Sequence, residues 1–369
     1  MDGGVRTGRE CVQAVRLPAF ISAPIYRLPV ARPPHPLATI RAPHAEDLAV
    51  AMGWLDRDDV IEADVADRAA LERFHDPAYL DALQRAEAEQ GLPEALRARY
   101  RIGADANPVH PAVFRRPATS AGAAMLAARL TLEGGIAHAP AAGNHHAWRD
   151  RASGFCYLND AVLGLLAWRD AGIGRIVYLD LDAHHGDGVE AAFADDPSVL
   201  TISVHEAGRW PRTGMDSDPS RGILNFPVPP GFDDRGFATL LHTAILPAVA
   251  GHRPEAVMLL PGADALDGDP MSKLALGNGA LFAAVDAVRE MAPRLVVPGG
   301  GGYNPYLVAR AWAGIWGRLN ELPIPRTLPA AALDVLRQIR YFRAVGRSPP
   351  GSWLTTIADP ASGEEISWA

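Results

Sequence analysis

Between residues 135 and 299 the chain alternates short apolar runs with longer stretches of helical periodicity. The runs fall at 135–140, 175–182, 199–205, 256–264 and 294–299, and most end in polar residues. Ile176-Val177-Tyr178-Leu179 and Val257-Met258-Leu259-Leu260 show no polar alternation, the pattern of strands covered on both faces. Strand and helix alternating in this way predict an α/β fold, a single-domain open parallel sheet with helices on both faces. Residues 1–44 predict a strand followed by loops, 45–90 helices broken at His75-Asp76-Pro77, 91–120 a long surface loop, and 119–132 a buried alanine-rich helix. A last helix is expected over 330–343, followed by an extended segment with Pro349-Pro350.

Composition changes this picture little. A length of 369 residues would ordinarily suggest two domains, yet large α/β sheets run this long as one, and the motifs below favour a single domain over 1–369. A formal charge of −8, a pI near 5.8 and no long basic cluster exclude a polyanionic partner, so no nucleic acid is expected. Cys11 and Cys156 form neither a CxxC pair nor a disulfide framework, which fits a reducing compartment. The first ten residues lack the apolar core of a signal peptide, and no apolar run reaches membrane-spanning length. A cytoplasmic protein without membrane contact is therefore expected.

Candidate chemistry gathers where the apolar runs end. Asp180, Asp182, His184, Asp264 and Tyr303 lie at or just past predicted strand C-termini, the edge along which open α/β sheets bind ligands. In the segment Tyr178-Leu-Asp-Leu-Asp-Ala-His-His-Gly-Asp187, Asp182 and His184 stand two apart and share one face of a strand end. An isolated Asp-x-His would fit a capped strand end equally well; three aspartates and two histidines together are costly to bury without a cation. Gly262-Ala-Asp264-Ala-Leu-Asp267-Gly-Asp269-Pro270 closes another run and offers Asp264 as a third ligand, or else a simple Asp/Gly turn. Two carboxylates and an imidazole leave a coordination position open, as catalytic metals require. The donors suit zinc, ferrous iron, cobalt or manganese, with zinc favoured.

Adjacent His145 and His146, in Gly-Asn-His-His-Ala, need polar partners unless they lie in a surface loop. Asp180 and Asp187 could each orient one of them through a ring N–H and so hold a base with a raised pKa. In Pro298-Gly-Gly-Gly-Gly302-Tyr303-Asn304, four glycines allow close backbone approach, and Tyr303 could donate to a developing oxyanion; the alternative is a flexible turn with a packed tyrosine. No P-loop lysine or dinucleotide fingerprint accompanies them, which excludes a phosphate site.

Taken in order, GNHHA, ASGFCYLND, YLDLDAHHGDGV, GADALDGDPM and GGGGYN resemble the histone deacetylase family, most closely its class I and acetoin-utilisation-like bacterial branches. These motifs cover about residues 130–310. The resemblance implies an arginase/deacetylase-like fold and a metal-dependent amidohydrolase that removes acetyl groups from acetylated lysine, in a protein or peptide, or from a similar small amine. It matches Asp182, His184 and Asp264 to the ligands of one zinc ion, and His146 to the general base and acid, with His145 its electrostatic neighbour. Asp187 and Asp180 match their carboxylate partners, and Tyr303 the tyrosine that polarises the substrate carbonyl. Phe155 and Trp210 match aromatic walls of the acyl-lysine tunnel, where the family usually carries phenylalanine in place of Trp210. Gly154, Met271 and Gly301 match further substrate positions, and Asp105 the aspartate that grips the substrate backbone at the rim. Asp180, Asp182, His184, Ser203 and Val204 match a structural potassium site, and Cys156 and His185 are read as structural.

An acetylpolyamine amidohydrolase would carry the same motifs. A two-metal ureohydrolase of the arginase kind would need a further aspartate two residues after His184, where this chain has Gly186. A non-catalytic binding module that keeps the fold is the remaining alternative.

Overall fold

In the computed structural model, described over residues 18–31, 33, 35–104, 106–341 and 349–359, one eight-stranded sheet runs through the molecule. Its strands are β1 (Ala19–Ser22), β2 (Val60–Glu62), β3 (Gly135–Ala139), β4 (Ile176–Asp180), β5 (Val199–Glu206), β6 (Ile223–Val228), β7 (Ala256–Leu260) and β8 (Arg294–Pro298). They lie in the order β2-β1-β3-β8-β7-β4-β5-β6, and every pairing is parallel.

Successive residues of the central strands enter opposite cores. Ile176 and Tyr178 of β4 pack with helices Arg115–Leu130 and Asp160–Asp170, whereas Val177 and Leu179 face helices Asn278–Arg289 and Pro305–Leu319. A strand flanked by two apolar layers has no reason to alternate, which accounts for its uniform sequence. Helix starts are chemically marked: the Asn159 side chain accepts from the Val162 amide, and Asn304 accepts from Tyr306 ahead of Pro305. Gly122 is required inside its helix, because any side chain there would collide with the Asp64 carbonyl.

Several expectations are corrected. The ladders of β4 and β7 stop at Asp180 and Leu260, short of the predicted 182 and 264, so Asp182 and His184 lie just past a strand end in a bend and Asp264 in the short 3-10 helix Ala263–Ala265. The cause is local: Asp180 accepts the Asp182 amide (3.0 Å) and Asp182 accepts the His184 amide (2.9 Å), and these side chains draw the backbone out of the sheet. The segment 91–120 is not one loop; it holds helix Glu94–Tyr100, and the following helix begins at Arg115. Two edge strands, β2 and β6, were not expected. The first has three residues, and the second contains Pro227, which only an edge tolerates. The tail helix ends at Gln338, and the rest of its predicted span runs beyond the described residues from 342. Among the described residues no helix is long and apolar enough to cross a membrane.

This topology positions the site. Strands β3, β8, β7 and β4 are neighbours although their sequence order is scrambled. The loops that follow them therefore meet at one place: 143–147, 299–304, 261–269 and 181–187.

Candidate active site

The turns after β4 and β7 bring Asp182, His184 and Asp264 together, with ligand atoms all within 4.8 Å of one another. His184 Nδ1 lies 3.1 Å from Asp182 Oδ1 and 3.1 Å from Asp264 Oδ2. Donors on one tetrahedral cation with bonds of about 2 Å stand roughly 3.3 Å apart, so the spacing fits. All three residues are buried. Burial opposes a charge on His184, but its bonds to Asp182 and Asp264 and their charges win, raising it to about 10. Two buried carboxylates thus draw one positive charge between them, the demand a divalent cation meets. Among the described residues this is the one group of three or more His, Cys, Asp or Glu side chains spaced to hold a metal. At Gly186 a Cβ would stand 2.5 Å from Asp180 Oδ2, so the second-metal aspartate of a ureohydrolase has no room.

His145 and His146 lie beside this cluster with ring centroids 3.9 Å apart. His145 Nδ1 donates to Asp180 (2.7 Å), and His146 Nδ1 donates to Asp187 (2.8 Å). The pairs form as expected, yet their basicities diverge. Burial opposes protonation of His145, but Asp180 and Asp182 outweigh it and raise it to about 9. Burial and then the charge of His145 depress His146 to about 3 despite Asp187. The expectation of a raised pKa thus fails for His146, where burial and, second, the charge of His145 outweigh Asp187. Asp180 also accepts from the Tyr178 hydroxyl (2.7 Å), and Asp187 from Trp148 Nε1 (3.3 Å).

The glycine-rich loop closes over the carboxylates. The Gly301 amide donates to Asp182 Oδ2 (2.7 Å), and any Cβ at 301 would collide with both aspartates. Tyr303 follows, buried, with its ring 5.5 Å from Phe155. Its backbone is held by Asp269, whose Oδ2 accepts the amides of Tyr303 (2.6 Å) and Asn304 (3.0 Å) while Oδ1 accepts that of Met271 (2.9 Å). Sequence reasoning quoted Asp269 within a motif but gave it no role; its position between two loops was the missing signal. Arg41 was also missed. It donates to the Gly300 carbonyl (3.0 Å) and lies over the Tyr303 ring at 5.7 Å. Asp160 was missed too: it accepts the amides of Gly143 and Asn144 and the Asn144 side chain, fixing the histidine loop.

A cavity of about 540 Å³, open to solvent, leads inward to His146, His184 and Tyr303, with Gly154, Phe155, Trp210 and Met271 on its walls. Trp210, 44% exposed, sets its indole edge-on to His146 at 4.7 Å. Gly154 lies beneath that indole and leaves no space for a Cβ. Ser203 is the register partner of Asp180 across β4 and β5, but its hydroxyl is engaged with His205 Nδ1 (2.9 Å); Val204 is buried next to it. Cys156 is buried, which pushes its thiol up and away from reactivity. His185 is tied to Thr213 (2.8 Å) and Glu190 (2.9 Å). Asp105 lies outside the described residues.

Comparison with known proteins agrees with this geometry. Residues 35–319 match the histone deacetylase domain model. The chain is 35% identical to histone deacetylase 8 of Xenopus laevis over 286 residues, covering 74% of this chain and 86% of that protein. It is 29% identical to the acetoin utilization protein AcuC of Bacillus subtilis over 365 residues, covering 93% and 90%. A crystal structure of an HDAC homolog complexed with SAHA superposes with a TM-score of 0.88 at 34% identity, covering 95% of this chain and 97% of the other. A structure of an HDAC homolog from Aquifex aeolicus matches with the same figures. A scrambled parallel sheet, an Asp-His-Asp cluster beside paired histidines and a domain match over most of the length lead to one assignment: this chain belongs to the histone deacetylase family and is a deacetylase-type hydrolase.

Proposed function

We propose that residues 1–369 act as one cytoplasmic unit, a mononuclear zinc-dependent deacetylase that frees an acetylated lysine, or a similar amine, and releases acetate. The observation that carries this reading is the convergence of Asp182, His184 and Asp264 with His146 and Tyr303 at the foot of one open cavity. Asp182, His184 and Asp264 would hold the zinc ion, which would supply Lewis-acid polarisation of the amide carbonyl and acidification of a nearby water.

The chain's own groups do the rest. His146 donates its Nδ1–H in a hydrogen bond to the Asp187 carboxylate, which leaves Nε2 as the free site. Its depressed pKa keeps that nitrogen unprotonated at neutral pH, ready to take a proton from water and return it to the leaving amine. His145, bonded to Asp180, stands against His146 as its electrostatic neighbour. Burial pushes the Tyr303 hydroxyl well above its ordinary value, so it stays a donor aimed at the oxyanion. Phe155 and Trp210 exclude water from the acyl chain, Gly154 and Gly301 admit the approach of ring and carboxylates, and Met271 closes the wall. A potassium ion beside Asp180, Ser203 and Val204 is the second cofactor of this reading. Support for it is the lateral pairing of the two strands, and its ligands would include backbone carbonyls because the side-chain oxygens of Asp180 and Ser203 are already bonded.

A panel of acyl-lysine peptides and acetylpolyamines, assayed for released acetate with and without chelator, tests the reading. Chelator-sensitive release from acetyl-lysine supports it; no release by zinc-loaded protein from any of these compounds refutes it.

A further inference from the structure

Among the described residues, the mouth of the cavity carries an unbalanced positive charge. Its described charged lining residues are Glu206, Arg209 and Arg212. Glu206 is committed: one oxygen accepts from Arg209 (2.8 Å), and the other accepts the Lys273 amide (2.7 Å) and pairs with Arg209 as well. Arg212 is exposed and has no ion pair among the described residues. Its backbone is left-handed, at φ +67°, where an L side chain is strained and glycine is not. A long cation is thus kept at a strained position on the rim of the cavity, and a non-glycine residue in that conformation at a binding site is a reason to look for function.

We propose that Arg212 is a specificity-determining residue that selects acetylated amines carrying a nearby carboxylate and disfavours polycationic ones such as acetylpolyamines. The proposal rests on the deacetylase reading of the same cavity and names its substrate class. The net charge of −8 would by itself attract cations, but charges more than about 8 Å away are largely screened at physiological salt, so the local arginine dominates at the mouth. The carboxylate can belong to an acidic residue flanking the acetyl-lysine or be the α-carboxylate of a free N-acetylated amino acid. The guanidinium recognises both by the same bidentate geometry.

The test compares kcat/KM for acetyl-lysine peptides that differ only in Glu, Gln or Lys flanks, for free Nε-acetyl-lysine and its amide, and for acetylspermidine, at low and high salt. The zinc-loaded wild type, Arg212→Gly, Arg212→Lys and Arg212→Glu are used. Glycine removes the charge without backbone strain, so a folding defect is not expected. The wild type should prefer Glu over Gln over Lys flanks by about two- to fivefold per step, with acetylspermidine poorest and the differences shrinking in high salt. Arg212→Gly should collapse the Glu/Lys ratio, Arg212→Lys should keep most of it, and Arg212→Glu should invert it. The free acid preferred over its amide identifies the α-carboxylate; preference only among the peptides identifies the flank. A Glu/Lys ratio unchanged in Arg212→Gly, or a wild type that prefers acetylspermidine, overturns the proposal. Fluorescence anisotropy of the same peptides separates the two claims. The charge ordering in binding without turnover would sink the deacetylase reading alone, and turnover or binding without the ordering would sink this one alone.

Discussion

Asp269 never faces the cavity in the scheme above, yet its replacement should slow turnover. Its carboxylate joins two loops by accepting three amides, those of Tyr303, Asn304 and Met271. Asp269→Asn keeps the shape and one acceptor oxygen. If that oxygen faces Tyr303 and Asn304, the new NH2 confronts the Met271 amide, donor against donor; in the other orientation two bonds are lost. Burial and the charge of Asp264 raise the Asp269 carboxyl to about 7, so each lost bond is worth about 1–3 kcal/mol, between a neutral and a charge-assisted one, and the loop that carries Tyr303 loses a matching share of its restraint. Misplacing a reacting group by about 1 Å can cost 10²-fold in rate. We therefore expect kcat to fall roughly 10- to 100-fold, with KM and bound metal little changed.

The ceiling is set by Tyr303. Because Asp269 acts through it, Asp269→Asn should cost no more than Tyr303→Phe, and the double variant should be no slower than Tyr303→Phe. Steady-state kinetics on acetyl-lysine peptide with metal analysis of each variant provides the assay. Full kcat in Asp269→Asn, or losses that simply multiply in the double variant, would refute the argument that this carboxylate positions the tyrosine.

Further outcomes are expected. His146→Ala and Tyr303→Phe should each lose most turnover, on the order of 10²–10⁴-fold for the acid–base group, while retaining metal; near-normal rates in either would remove that residue from the mechanism. Metal analysis should find one divalent ion per chain, with chelation lowering the melting temperature because Asp182 and Asp264 are left facing each other; two ions per chain would revive a ureohydrolase-like site. Acid should destabilise the fold early. Burial holds His75, His110, His138 and His205 near 4, below the value of about 6.5 they regain on unfolding. A depressed imidazole contributes stability in full above pH 6.5 and loses it as pH falls toward 4, about 1 kcal/mol per group per pH unit. Melting temperatures of metal-loaded protein should therefore fall between pH 6.5 and 4.5, and a flat profile would contradict the burial of four neutral histidines.

The sheet's centre was legible because burial on both faces leaves β7 wholly apolar and confines the one charge of β4 to its last residue, Asp180. Its edges were not: β2 and β6 are half-exposed, and their short or proline-containing sequences look like loop. The ligand triad was legible as residues but not as geometry. Asp182 and His184 are aligned by two consecutive side-chain-to-amide bonds that end the strand, an effect invisible to a two-residue spacing rule. Asp269 escaped notice because its partners Tyr303 and Asn304 lie 34 and 35 residues away, and only the neighbouring of β7 and β8 brings them within reach.

The two histidines show most clearly what a motif omits. In sequence, each has one aspartate partner, and the two Asp–His pairs look interchangeable. In the folded chain His145 Nε2 also lies 3.8 Å from Asp182, so two carboxylates support its charge, whereas His146 has one carboxylate and, tilted against it, the charged ring of His145. The first imidazole therefore holds the proton and the second gives it up; the division between charged neighbour and free base follows from which side of the pair meets the metal ligands. A cation on Asp182 would weaken the support for a proton on His145 and add repulsion at both rings. Metal loading should thus move His145 toward neutrality and leave His146 deprotonated. Histidine NMR of apo and zinc-loaded protein reads this directly, and a His146 that gains a proton at neutral pH when zinc binds would undo the assignment of roles.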